Sequence, residues 1–252
     1  MSVDAADEAE AVTPAVGLKR EVAAHVAVAE ALVRWDGLER GSARLLTDLA
    51  GALGFRAGVL WIPSGERLRP RVFWNDDAVD VREFKMMTLT TRLRRGMELP
   101  GRAWQLLEPS SRGTTAGGPL PPRLRAAMTA GLVGAIALPA VCADELIAVV
   151  ELDGEREPQM TERLRGSLTA IGHVLGYFLA HRRGELQRQV ITDRQIEILQ
   201  LATKGLSVAQ IAERLVVSRA TVKTHLEHVY DRLHVTNRVA AVAEAMRLGL
   251  VQ

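Results

Sequence analysis

Apolar residues recur at helical spacing through residues 192–252, the last part of the chain. Intervals of three or four positions place such residues on one side of a helix, and three stripes of this kind follow one another. The stripes are Ile196, Leu199 and Ala202, then Val208, Ile211 and Leu215, then Val222, Leu226, Val229 and Leu233. Helices this short cannot bury a stripe alone, so the pattern predicts that they pack, with a fourth helix, as an all-α four-helix bundle.

Residues suited to N-capping mark the start of each helix. The candidates are Thr192 with Gln195, Ser207 with Gln210, Ser218, and Asn237. The first two pairs fit the capping box, in which two side chains satisfy the free amide groups of the first turn reciprocally. These starts leave only Val216 and Val217 between the second and third helices, which is the spacing of a helix-turn-helix.

The third helix has one apolar side and one polar side. Stepping about 100° per residue, its apolar residues stay within about 40° of the direction of Val222. The opposite side carries Ala220, Thr221, Lys223, Thr224, Glu227, His228 and Asp231. The first half of this side is small and rich in hydrogen-bonding groups, as a helix needs to enter a major groove and contact base edges.

This stretch resembles the C-terminal domain of LuxR-type transcription regulators. The resemblance is carried by TDRQ, GLSVAQIAERL, SRATVKTH and DRLHVTNR. It implies that the third helix reads bases, and the residues assigned to this role are Lys223, Thr224, Glu227 and His228. It also implies phosphate contacts, which we assign to Ser207, Ser218, Arg219, Thr221, Arg232, Asn237 and Arg238. Double-stranded DNA is therefore the expected partner, and we expect a homodimer because paired half-sites suit two-fold symmetry.

Four positions depart from the family pattern. Val216 and His234 stand where glycine is usual, and a β-branched residue is strained in a left-handed conformation, so the turn before Ser218 is expected to shift. Glu227 stands where a basic residue is common; glutamate repels phosphate but accepts a hydrogen bond from cytosine N4. Gln195 replaces the usual glutamate and still completes a capping box.

Charge by itself is compatible with a second interpretation. Residues 192–252 carry eight lysine or arginine residues and six acidic ones, so all of the net charge of +2 lies there. A net charge of +2 is small for a DNA-binding domain. Capped amphipathic bundles also occur in adaptors that bind other proteins. The alternative is therefore an interaction adaptor that uses the bundle to hold a protein partner.

The preceding residues alternate helical and strand patterns. Helices are predicted over 16–53 (two), 79–93, 100–107, 120–130 and 160–190, strands over 57–63, 68–74, 132–141 and 146–152, and a loop over 110–122. The last two strands are apolar on both faces and are expected to be central in a sheet covered on both sides. The order describes an antiparallel α+β module.

Residues 36–183 resemble a GAF domain. The resemblance is carried by WDGLERGSARLLTDLAGALGFRAGVLWIP, MELPGRAWQLLEP and GLVGAIALPAVCADELIAVVEL. It implies a GAF-like sensor domain, an antiparallel sheet with helices, which binds a small-molecule effector or relays dimerisation. The predicted organisation is a disordered acidic tail (1–15), the sensor (16–183), a linker (184–191) and the helix-turn-helix domain (192–252).

Large apolar residues on the strands and lid segments are the candidates for a ligand pocket. They are Trp61, Trp74, Phe84, Met86 and Trp104. Such residues stack on flat ligands, and they also fill ordinary cores, so both interpretations stay open. The last helix before the linker carries a coiled-coil seam of two heptads, formed by Leu164, Leu168, Ile171, Leu175 and Phe178. One stripe of this helix is expected to pack inward, and another, together with the Val22/Val26 helix, is expected to pair across a dimer axis.

Other classes of function find little support. The only cysteine, Cys142, fits a reducing cytoplasm. His173 and His181 are too far apart for one metal site, and neither metal nor haem is expected. The longest apolar run is shorter than the ~20 residues of a membrane helix. No catalytic arrangement can be assembled, so the sequence predicts a cytoplasmic, non-enzymatic transcription regulator that acts with the transcription machinery.

Overall fold

The computed structural model describes residues 14–113, 120–188, 191–233, 235–247 and 250–251. The helices are α1 (Pro14–Val33), α2 (Leu38–Leu53), α3 (Arg82–Thr90), α4 (Glu98–Leu106), α5 (Pro122–Thr129), α6 (Glu162–Ala180), α7 (Arg183–Arg188), α8 (Asp193–Thr203), α9 (Val208–Arg214), α10 (Arg219–Leu233) and α11 (Arg238–Arg247). The strands are β1 (Ala57–Ser64), β2 (Arg67–Asn75), β3 (Ser110–Arg112), β4 (Gly134–Cys142) and β5 (Glu145–Gly154). Most of the expected acidic tail (1–13) and His234 lie outside these residues.

The strands form one antiparallel sheet in the order β2-β1-β5-β4-β3. β5 is central and β4 lies beside it, and both are buried along nearly their whole length, as their two-sided apolar pattern predicts. The β1–β2 hairpin turns at Gly65, whose φ of 59° favours glycine. The predicted α+β architecture is confirmed.

Helices cover both faces of the sheet. On one face, α2 and α6 pack against the strands and α1 packs on α2, around a core that includes Leu46, Leu60 and Leu138. On the other face, which we call the α3–α5 face, the helices α3, α4 and α5 cover Trp61, Val149 and Ala57. The two apolar layers bury alternate residues of each strand, as the two-residue period of a strand requires.

Helix α6 turns its heptad seam into the domain. Leu168, Ile171 and Leu175 are buried in the core on the α2 side of the sheet, so the seam residues form the stripe that packs inward. Gly172 and Gly176 permit this contact, because a Cβ atom at either position would overlap the carbonyl oxygen of Pro139 or Val141 on β4.

Two predicted elements are wrong in the structure. The predicted helix over 160–190 is two helices, because the backbone bonds of α6 give way to a turn at His181 and Arg182, where the Arg182 amide donates to the Leu179 carbonyl at 2.9 Å. The predicted loop over 110–122 contains β3, which pairs with β4, and the start of α5. Pairing with a distant strand stabilises β3, and local composition does not reveal such a partner.

The C-terminal helices begin where the sequence predicts. Thr192 with Gln195 and Ser207 with Gln210 both form complete capping boxes, with the amide of each N-cap residue donating to the glutamine side chain at 2.9 and 2.8 Å. Helices α8 to α11 enclose two adjoining apolar clusters, represented by Ile198 with Leu226 and by Leu199 with Val229. The four-helix bundle is therefore built from the predicted stripes.

Candidate functional site

The outer side of α10 is open to solvent. Lys223, Thr224, Glu227 and His228 are exposed, whereas Val222, Leu226 and Val229 are buried in the bundle. The Ser218 hydroxyl begins the helix by accepting from the Thr221 amide at 3.0 Å. The structure thus brings all four expected base-reading side chains to one outward surface at a capped helix start.

The turn between α9 and α10 keeps left-handed geometry at Val216. Its φ is 54°, and its side chain is 90% exposed. The Val217 amide donates to the Ala212 carbonyl at 3.0 Å, which closes the end of α9. The expectation that valine would shift this turn is therefore wrong: the tertiary fold holds a β-branched residue in a conformation that costs free energy.

The expected phosphate-binding residues form two groups. Ser207, Ser218, Arg219 and Asn237 are exposed, and Thr221 is half-buried with its hydroxyl 2.8 Å from that of Ser218. Asn237 accepts from the Ala240 amide at 2.9 Å, so it caps α11 as predicted.

Arg232 and Arg238, the other two residues assigned to phosphate contact, form hydrogen bonds within the bundle. Both are half-buried; Arg232 donates to the Gln195 side-chain oxygen at 2.5 Å, and Arg238 donates to the carbonyls of Ala202 and Leu206. In this state they brace α10 and α11 against α8. The same oxygen of Gln195 accepts from the Thr192 amide. One buried side chain therefore both caps α8 and binds Arg232 of α10.

His225 and Arg194 also support this surface, although the sequence did not single them out. Burial, assisted by the charges of Arg194 and His228, lowers the pKa of His225 and favours its neutral form. Arg194 donates to the carbonyl of Leu215 at 2.9 Å and so ties α8 to the turn before α10. Spacing along the chain gives no signal for either contact.

The candidate pocket residues are not all together. Trp61 of β1, Phe84 of α3 and Trp104 of α4 are buried between the sheet and the helices of the α3–α5 face. Trp74 instead packs against the core on the opposite side of the sheet, and Met86 is 47% exposed. The grouping of all five around one ligand is therefore corrected, and only the first three remain candidates on the α3–α5 face.

A buried ion network crosses the α3–α5 face. Arg123 of α5 donates to both carboxylate oxygens of Glu151 at 2.9 Å and to Glu98 at 2.7 Å. Its guanidinium lies over the rings of Trp61 and Phe84, with its central carbon 5.3 and 5.5 Å from their centroids. The Trp61 indole donates to Glu151 at 2.9 Å. Burial opposes the charge of Arg123, but Glu151 and Glu98 outweigh it and raise the arginine pKa.

Asp153 extends the same network toward β3. It accepts from Arg112 at 2.9 Å through one oxygen, and among the described residues its other carboxylate oxygen has no hydrogen-bond partner. Burial, reinforced by Glu151 and partly offset by Arg112 and Arg123, raises the pKa of Asp153 to about 7. The apolar strand pattern of β5 did not predict that two of its carboxylates would point into the interior.

Known proteins match both the C-terminal and the N-terminal part of the chain. Residues 189–245 match the GerE model, which describes bacterial regulatory proteins of the luxR family. The transcriptional regulator AlkS of Alcanivorax borkumensis is 44% identical over 64 residues, 25% of this chain and 7% of AlkS. The probable transcriptional regulatory protein NarL of Mycobacterium tuberculosis is 45% identical over 62 residues, 25% of this chain and 29% of NarL. The chain thus spans less than a third of the length of either relative.

The N-terminal part matches at the level of fold. The GAF domain of a phosphoenolpyruvate-protein phosphotransferase from Coxiella burnetii superposes with a TM-score of 0.51 and 15% identity, covering 66% of this chain and 96% of that one. The N-terminal domain therefore has the GAF fold. The C-terminal helices contain the stretch, residues 189–245, that matches the luxR-family model.

Proposed function

We propose that this protein is a cytoplasmic, non-enzymatic, DNA-binding transcriptional regulator. The observation that carries the proposal is the outward surface of α10, where Lys223 and Thr224 stand exposed at the capped start of the helix. A helix held in this way presents its first turns to a major groove, and Glu227 on the same side is suited to accept from cytosine. Arg219 and the helix starts at Ser207, Ser218 and Asn237 would contact phosphates.

We further propose that two copies of the chain act together. On α1, Leu18, Val22 and Val26 are half-exposed at intervals of four residues, and on the adjacent α6 Val174 and Tyr177 are also exposed. An ion pair of Glu21 with Arg163, 3.0 Å apart, fixes these two helices side by side. Pairing this apolar surface with its copy would place two reading helices on one operator.

The α3–α5 face is the proposed place of effector binding. Trp61, Phe84 and Trp104 would line the binding site. A small-molecule effector would enter it when α3, α4 and α5 move. Within the part of the chain that the structure describes, none of the helices has the length and hydropathy that a bilayer crossing requires. Native mass spectrometry of the purified chain tests both proposals, because it reports subunit number and any retained molecule together.

Selection from random duplex DNA, followed by anisotropy titration of the recovered sequence, tests DNA binding. We expect affinity to fall with salt, and Lys223→Ala to weaken binding by about 1 to 3 kcal/mol if the lysine reads a base, or to reduce the salt slope by about one if it meets phosphate. Lys19→Ala, which removes the same charge from an exposed position on α1, is the matched control. A bundle that holds only proteins would select no duplex and show no salt slope.

A further inference from the structure

The linker between the two domains is attached to the sensor. Helix α7 follows the break at His181, and its Leu186 is buried in the core on the α2 side of the sheet. The Trp35 indole, at the turn between α1 and α2, donates to Glu185 at 3.2 Å. The connecting helix is interrupted, and the segment after the break is docked on the first domain before the chain reaches the second.

A second attachment lies at the far end of the linker. Arg69 on the edge strand β2 is 8% exposed, and its guanidinium donates to the backbone carbonyl of Ile191 at 2.6 Å. The side chain of Ile191 is only 5% exposed and packs in the C-terminal cluster with Leu199 and Val229. A buried, charge-assisted bond to this residue therefore connects the sheet of the sensor to the core of the helix-turn-helix domain.

Leu68, the residue before Arg69, is hydrogen-bonded to the segment between α3 and α4. The amide of Leu68 donates to the carbonyl of Leu93 at 2.7 Å, and the amide of Leu93 donates back at 3.1 Å. Leu93 lies between α3 and α4, and its side chain is buried with Trp61 and Trp104 on the α3–α5 face. Leu68 and Arg69 are consecutive residues of β2, about 3.3 Å apart along the strand. One thus holds the segment around Leu93, and the other holds the linker at Ile191.

We propose that Arg69 is a positioning residue that couples the α3–α5 face to the placement of the DNA-binding domain. A displacement of the segment around Leu93 moves Leu68 through its paired hydrogen bonds. Arg69 then carries the displacement to Ile191 and the start of α8. This inference rests on the proposed function, since it describes how the state of the sensor reaches the reading helix.

Hydrogen exchange of the full chain, read by mass spectrometry without DNA, tests the attachment. In Arg69→Met we expect amides of residues 191–203 to exchange about tenfold faster, the size expected for loss of one charge-assisted hydrogen bond. Arg67→Met, an exposed position on the same strand, should leave that segment unchanged. Unchanged exchange in β1 and β5 shows that the variant is folded; if Arg69→Met disrupts the sheet, Arg69→Lys replaces it, with a smaller increase expected.

A double-mutant cycle tests the coupling itself. Glu98→Gln perturbs the α3–α5 face at its bond to Arg123, and we expect it to change exchange of residues 191–203 in the otherwise natural chain. In the Arg69→Met background the same substitution should have no further effect there. An equal effect of Glu98→Gln in both backgrounds, no effect in either, or wild-type exchange in Arg69→Met would overturn the proposal. The exchange experiments contain no DNA. A failure to bind DNA in the anisotropy titration would therefore contradict the proposed function and leave the interpretation of the exchange data unchanged.

Discussion

In the C-terminal bundle, the side chains that set the helix starts bond to amides three positions away, as at Ser207, Ser218 and Asn237. On the α3–α5 face of the N-terminal domain, the buried and half-buried bonds span 25 residues from Glu98 to Arg123 and 90 residues from Trp61 to Glu151. The helix starts of the bundle are therefore specified by small local terms. The α3–α5 face concentrates its electrostatics in one set of charges that only the complete fold assembles.

This difference predicts unequal sensitivity to single substitutions. Removing one cap leaves the rest of a helix and its apolar stripe in place, so the loss is small. Removing one member of a buried ion network leaves its partners charged and without compensation, so the loss is large. Four substitutions test the contrast.

The largest effect is expected from Arg123→Met. This change leaves the buried carboxylate of Glu151 without its counter-charge, and we expect the free energy of unfolding to fall by about 3 to 5 kcal/mol in urea titrations. Arg125→Met, two positions along α5 and exposed, is the control and should stay within about 0.5 kcal/mol. Adding Glu151→Gln to Arg123→Met should restore part of the loss; a mild effect of Arg123→Met alone would contradict the concentration of electrostatics on this face.

The next effect is a pH dependence that originates at Asp153. Its pKa is about 7 in the folded protein and about 4 in an unfolded chain, so its contribution to stability is complete below about pH 4 and is lost as the pH rises through 7. We expect Asp153→Asn to remove about 3 kcal/mol of the decline between pH 5 and pH 8, measured by unfolding at each pH. Asp77→Asn, at an exposed site, should leave the decline intact, and parallel wild-type and Asp153→Asn curves would refute the assignment.

A smaller effect is expected from Ser218→Ala, which removes the cap of α10. We expect a loss of about 1 kcal/mol in unfolding free energy, because the Thr221 amide loses its acceptor. Ser218→Asn supplies another good capping oxygen and should retain most of the stability. A loss as large as that of Arg123→Met would show that the bundle is not governed by local terms.

The smallest effect has the opposite sign. Val216→Gly should stabilise the bundle by about 0.5 to 1 kcal/mol, since glycine adopts the observed φ of 54° without strain and little buried surface is lost at 90% exposure. Val239→Gly, at an exposed position within α11, should destabilise instead. If both changes lower the midpoint of thermal unfolding, the strain assigned to Val216 is absent.

The boundaries 1–15, 16–183, 184–191 and 192–252 remain a prediction, as do the individual DNA contacts. Within them, α1 already begins at Pro14, and residues of the assigned linker form α7 against the sensor. Leu186 follows Leu179 at a seven-residue interval, so periodicity alone did not reveal the helix end at Ala180.

The sequence by itself determined the helix starts at Thr192, Ser207, Ser218 and Asn237, the apolar stripes of the bundle and the two-sided burial of β4 and β5. These features depend on residues close together along the chain, whose geometry is set by the period of a helix or strand. Only the tertiary structure decided that Arg123 meets Glu151, that Val216 is held with positive φ, and that Arg69 reaches Ile191. Strand order and helix layering set those partnerships, because they bring together side chains that no local pattern relates.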